Sequence, residues 1–389
     1  MRVTELASEK DFTELTDTAN RIFTGKWDNA HFTYNEHFFQ KVMPKLYQDP
    51  STAKEHLIIR DGGRITGLVG VIPNKIYVGG QTLHAAGIGT VGTTEECRGR
   101  GYMSEMMEAA LAKMKRENVD VAFLGGNRQR YERFGFTAAG LCAVFELTRK
   151  NLTGTRTGVY AFYEMAGCGS EEELALISRL HTRKSLYFER PRQKLADILR
   201  TWENHVFLIT KEGRLCGYLV GKDNGICEIA YENGCALCDI LKDYMDHFGK
   251  EHLTVYGLGL YEQEKTAELS HCAEDMVLRA PCRTLILNFR NVLSALFELK
   301  SRYAELCDGK LVVRVSAEET SEQIAIEVRD GKASVSLCGG APDLEIPAPE
   351  AARLFCGLGK PFACSGYGLP PFAGSWFPLP LNIESADMV

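Results

Sequence analysis

A stretch of this chain returns 150 positions further on. Leu57 to Gly70 reads LIIRDGGRITGLVG, and Phe207 to Val220 reads FLITKEGRLCGYLV. Gly63-Arg64 recurs as Gly213-Arg214, and Gly67 as Gly217. Both copies read as a strand, a glycine turn and a second strand, the pattern of a hairpin. A repeat at this scale predicts one fold built twice. The 389 residues leave room for both copies and a further domain.

The first copy runs on as an antiparallel meander, with β-rich runs at Ile65 to Ile72, Lys75 to Val78 and Thr82 to Thr93. The next stretch is ECRGRGYMSEMMEAALAKM, Glu96 to Met114. Its apolar residues Met103, Met106, Met107, Ala110, Leu111 and Met114 have the spacing of an amphipathic helix. The methionines read as core filler. The second copy also gives a strand and then a helix, in CEIAYENGCALCDILKDYMDHFGKE, but has no Arg-Gly-Arg-Gly. The loop is therefore not needed to build the fold, and it reads as a site. The first amides of a helix lack intrahelical partners, and the helix dipole makes that end positive. Glycines admit a close anion, and arginines add charge and paired donors. The loop suits a pyrophosphate, yet it is neither a Walker loop nor a G-x-G-x-x-G fingerprint.

Composition excludes some classes of function. The formal net charge of −6 argues against a nucleic-acid binder. No run of about 18 apolar residues is present, so no membrane-spanning helix is expected. The start, MRVTELASEKDF, has no apolar core of signal-peptide type. The 13 cysteines are scattered, which suits reduced thiols in a cytoplasm. Cys235 and Cys238 have C-x-x-C spacing without a second pair or nearby histidines, so they read as structural and no metal is expected.

A third part begins near Pro281. It has alternating strands such as Gln323 to Val328, a helical run from Arg290 to Leu306, and a Pro- and aromatic-rich tail that ends on Val389. An apolar terminus is unusual for a frayed end.

Arg98-Gly99-Arg100-Gly101-Tyr102-Met103 resembles motif A of the GCN5-related N-acetyltransferases, Q/R-x-x-G-x-G/A, with Arg98 and Gly101 matching and Met103 departing from it. NRQRYERFGF, from Asn127 to Phe136, resembles the later segment of that family. Across nearly its full length the chain resembles the enhanced intracellular survival (Eis) family, in which Y-x-R-F-G-Y corresponds to Tyr131 to Phe136. The resemblance implies an α+β chain: tandem acyl-CoA N-acyltransferase folds at 1–147 and 148–280, then a sterol-carrier-like domain at 281–389. Only the first fold would hold the coenzyme.

The resemblance further implies direct transfer of acetyl from acetyl-CoA to a primary amine on a small molecule or peptide. Val91, Gly92 and Thr93 would meet the pantetheine and thioester. Arg98, Gly99, Arg100, Gly101, Tyr102, Met103 and Ser104 would hold the pyrophosphate, and Asn127 would belong to the same site. Tyr131 would be the general acid, and the terminal carboxylate of Val389 the base. Glu36, His84, Glu95 and Glu96 are competing bases that read as plain surface or packing residues. Trp27, Asp28 and Glu36, in WDNAHFTYNEHFF, are candidates for the acceptor side. The family also implies a homo-oligomer, from dimer to hexamer; from the charge and the lack of a long apolar run, neither nucleic acid nor membrane is expected as a partner. A binding protein for acyl-CoA or lipid is the alternative reading.

Overall fold

The computed structural model describes residues 3–24, 27–28, 31–32, 35–152, 155–317, 321–357 and 365–389, with backbone alone at 27–28, 31–32 and 365. Two seven-stranded sheets carry the repeat. In the first, Val3–Leu6, His56–Asp61, Arg64–Val78, Gln81–Thr93, Val121–Leu124 and Arg283–Ile286 lie side by side in that order. In the second the order is Tyr160–Glu164, His205–Lys211, Arg214–Lys222, Gly225–Tyr231, His252–Gly259, Cys142–Thr148 and Asp275–Arg279. Each sheet is antiparallel except at one joint. Gln81–Thr93 runs parallel to Val121–Leu124, and Gly225–Tyr231 runs parallel to His252–Gly259. The repeated hairpin thus builds the same sheet twice.

Three strands cross the segment boundaries expected from sequence. Cys142–Thr148, starting before residue 147, joins the second sheet beside His252–Gly259. Leu186–Phe188 leaves the second copy to pair with Ile76 to Val78 of the first. Arg283–Ile286, from the third part, closes the first sheet against Val121–Leu124.

Arg64–Val78 is one 15-residue strand, not two runs broken at Pro73-Asn74. One neighbour pairs only as far as Gly70, and the other begins at Ile76. Pro73 therefore falls where one side of the strand has no partner, a place that tolerates a missing N–H.

Helix Tyr102–Arg116 covers one face of the first sheet with Met106, Met107, Ala110 and Met114, as the spacing predicts. Helix Phe12–Thr24 and two short helices, Phe38–Val42 and Pro44–Tyr47, cover the other face. In the third part a four-stranded sheet packs on helix Phe289–Lys300. That core is continuous with Ile76, Val78, Leu83, Val121 and Phe123 of the first sheet. Among the described residues no helix is long and apolar enough to cross a membrane, and every described cysteine is free.

A fragment ending at residue 280 lacks Arg283–Ile286 and bares the apolar face that helix Phe289–Lys300 covers. It is expected to lose the cooperative thermal transition that circular dichroism shows for the full chain.

Candidate active site

The parallel joint of the first sheet ends early. Pairing runs from Ala85↔Val121 to Ile88↔Leu124, and then the two strands part. Strand Gln81–Thr93 continues on its other side, as far as Gly67↔Thr93. A register shift between Leu68 and Gly70 coincides with Thr90, whose φ is +51°. Such a bulge re-aims the residues beside it. Thr90, Val91, Gly92 and Thr93 thus border a split with no strand pairing on that side among the described residues. Gly92 is needed for packing: a Cβ there would lie 2.6 Å from Ile22 Cγ2.

The glycine loop leads from this strand to helix Tyr102–Arg116. Gly99 and Gly101 have φ of +75° and +79°, with nothing within 4 Å of a built Cβ, so conformation and not crowding requires them. Gly101 is the N-cap, and no side chain caps the helix. The first intrahelical bond is from Glu105 N to Gly101 O, which leaves the amides of Met103 and Ser104 without helical partners. Arg98 is exposed and lies 3.7 Å from Glu95. Arg100 is exposed. Tyr102 is turned inward and donates to Asp61 at 2.7 Å, while Met103 is half-buried against the sheet. Arg133, which the sequence did not single out, donates to Ser104 Oγ at 2.9 Å and adds a third cation at the helix end.

Asn127 is exposed and N-caps the short helix Arg128–Tyr131. Tyr131 is 5% exposed, and its ring rests on Gly126, where a Cβ would lie 2.5 Å from Cε2. Burial pushes the Tyr131 phenol above its ordinary range, with Arg130 opposing, so it stays protonated at neutral pH.

Val389 lies on this sheet. A Cβ on Gly87 would be 2.6 Å from Val389 Cγ2, and one on Gly89 would be 2.9 Å from its carboxyl carbon. The two glycines form a bed for the chain end where the strands begin to part. Gly125 is next to Met388, so the tail and Tyr131 approach the same Gly125-Gly126 corner. Buried Lys45 donates to the Ala386 and Met388 carbonyls at 2.7 and 2.5 Å. Burial pulls the Lys45 ammonium down to about 7, against the charge of Asp387. Either protonation state keeps two N–H groups for the two carbonyls.

A buried polar chain backs the bulge. Tyr47 donates to Thr90 Oγ1 at 2.8 Å and lies 3.3 Å from His56 Nε2, and His56 Nδ1 donates to the Thr52 carbonyl at 3.1 Å. Lys45, Tyr47 and His56 carry no motif, and only their burial distinguishes them. Of the competing bases, Glu95 and Glu96 lie on the exposed turn before Arg98, and exposed His84 anchors its backbone to Asp120. Glu36 is exposed beside His37. Trp27 and Asp28 pair with Phe32 and His31, but their side chains lie outside the described residues.

The second sheet has the same joint with different chemistry. Its parallel pairing ends at Ile226↔Val255. Its helix Leu237–His247 is already occupied at the N-terminus, because Glu268 Oε1 accepts from Cys238 N at 2.8 Å. Glu232, in the loop before it, is paired with Arg179 and Arg183. Two carboxylates thus hold the ground where the first copy offers cations.

Comparison with known proteins agrees with this geometry. Residues 4–139 match the sequence model of the family described as Acetyltransferase (GNAT) domain. Residues 4–139 thus form a GCN5-related N-acetyltransferase (GNAT) domain, the unit of an acyltransferase. A search of curated proteins found no match. The fold of the whole chain is shared with a GCN5-related N-acetyltransferase from Anabaena variabilis, with 14% identity, TM-score 0.71 and all of both chains covered. It is shared with one from Kribbella flavida, with 16% identity, TM-score 0.69 and coverage of 100% and 98%. Eis1 from Mycobacterium abscessus also has this fold, with 15% identity, TM-score 0.66 and 97% of each chain covered.

Burial lowers His56 from 6.5 to about 4. Between those values the unfolded chain binds a proton that the folded chain does not, so stability rises with pH across that window. Acidification from 6.5 to 4 is expected to cost roughly 3 kcal/mol from this group. Urea titrations of the wild type and His56→Gln should differ by a slope confined to that window.

Proposed function

We propose that the chain transfers acetyl from acetyl-CoA to a primary amine by direct attack. The observation that carries this reading is the chain end lying on Gly87 and Gly89, at the split that the glycine loop and Tyr131 also border. The amides of Met103 and Ser104, with Arg98, Arg100 and Arg133, would bind the pyrophosphate as charge-assisted donors. Val91, Gly92 and Thr93 would meet the pantetheine arm. Asn127, exposed at the start of the Tyr131 helix, would face the same coenzyme.

In the reaction the amine nitrogen bonds to the thioester carbonyl carbon and the C–S bond breaks; the nitrogen gives up two protons and the leaving thiolate takes one. The Val389 carboxylate would accept the ammonium proton. Its reference pKa of roughly 3.3–3.7 makes it ionised but a weak base, so a water molecule would relay the transfer. Tyr131, buried and protonated, would give its proton to the thiolate and recover one from the nitrogen of the tetrahedral adduct, so that the amide leaves neutral. The approach of Met388 to Gly125 and of the Tyr131 ring to Gly126 supports pairing the chain end with Tyr131 as base and acid. Trp27, Asp28 and Glu36 belong to the segment that follows helix Phe12–Thr24 in sequence and would meet the amine.

Tyr131→Phe is expected to lower kcat by about 10²–10⁴-fold with acetyl-CoA affinity retained. The test is thiol release across a panel of amines, and undiminished turnover would count against the assignment. Deleting Val389 moves the carboxylate by one residue and should lower kcat in the same assay. Arg98→Ala should weaken acetyl-CoA binding in calorimetry without lowering the melting temperature.

A further inference from the structure

The second unit has no open loop, yet its split is full of charge. Glu228 stands on strand Gly225–Tyr231, two residues beyond the last parallel pair, Ile226↔Val255. Thr90 stands two residues beyond Ile88↔Leu124 in the first unit. Lys184 Nζ lies 3.0 Å from Glu228, and Arg190 holds it with two parallel bonds of 3.0 and 2.9 Å. Tyr218 donates to the same carboxylate at 2.5 Å. The Arg190 side chain is 1% exposed.

The C-terminal strap completes this cluster. Arg190 reaches Asp387 through Nε and Nη2, both at 2.9 Å, and Glu384 at 3.0 Å. Lys184 reaches Glu384 at 2.8 Å. Across the split, Asn382 Nδ2 donates to the carbonyl of Gly257 at 2.9 Å. The residual cavity, between Cys227 to Ile229 on one strand and Val255 to Leu258 on the other, is only about 10 Å³. His181, Glu228 and Glu384 are spaced as metal ligands, but Lys184 and Arg190 already hold both carboxylates.

Two cations and three carboxylates in a closed space are a poor source of bulk stability. Apolar groups of the same volume often do as well, whereas removing one member leaves a buried charge unpaired. Their advantage is geometric: Arg190 presents a planar fork that accepts one arrangement of partners. Both acidic partners on the strap lie within five residues of Val389.

We propose that the split of the second unit is a socket for the chain's own C-terminal strap, and that this socket sets Val389 on Gly87 and Gly89 of the first unit. The duplicate takes no coenzyme. It holds a segment of the same chain where its twin takes a substrate, and Arg190, Lys184 and Glu228 are positioning residues. Lys45 fixes the last carbonyls from the first unit's side. The socket's catalytic purpose rests on the function proposed above, but its grip on the strap does not.

The test is release of valine from the full-length chain by carboxypeptidase Y, followed by mass spectrometry. The wild type should resist. Arg190→Met should release Val389 at least tenfold faster, and Arg190→Lys, which keeps the charge but loses the fork, should fall between them. Asp387→Asn removes a charge from the strap alone and serves if Arg190→Met fails to fold. Calorimetry should find acetyl-CoA affinity within twofold of wild type in each folded variant, a result that general unfolding would not give. A tail as protected in Arg190→Met and Asp387→Asn as in the wild type would overturn the socket. Failure of the wild type to bind acetyl-CoA would sink the proposed function instead, so the two can fail separately.

Discussion

The molecule depends on a parallel strand pair that stops early. Four paired positions, Ala85 to Ile88 against Val121 to Leu124, hold the joint of the first unit, and beyond them the sheet opens. Backbone groups left unpaired at such an opening must find other partners. Thr90 bulges, Gly87 and Gly89 remain bare, and the chain end lies on them. Larger residues at either glycine would collide with Val389. The site is thus a gap in a sheet, bordered by elements that the sheet itself positions.

The same gap is built twice and filled in opposite ways. In the first unit a helix N-terminus without a side-chain cap faces two glycines and exposed arginines. In the second, Glu268 satisfies a helical amide and Glu228 sits inside the gap with Lys184 and Arg190. Burial pushes the Glu228 carboxyl up, but Arg190 and Lys184 outweigh it and hold the group well below the usual carboxylate range. One geometry thus leaves an uncapped helix end beside exposed arginines in one copy and encloses ion pairs in the other.

The repeat was legible because a glycine turn between two β-rich runs leaves a local signature. The loop was legible because positive φ at Gly99 and Gly101 demands glycine whatever surrounds it. Strand exchange was not, since Cys142–Thr148 and Arg283–Ile286 read as ordinary strands and nothing local names their neighbours. The break expected at Pro73 failed for the same reason: a missing partner strand, invisible in sequence, made the proline harmless. Lys45, His56 and Arg190 left no signal in the sequence, because only the tertiary fold buries their side chains. The apolar end at Val389 did signal a packed terminus, though not the bed of glycines that receives it.

The central claim is that the chain has one coenzyme site, at the loop of the first unit. Calorimetric titration of the full-length protein with acetyl-CoA tests it most directly. The account predicts one site per chain, lost in Gly101→Glu while the thermal transition persists. Two sites per chain, or binding that survives Gly101→Glu, would contradict it.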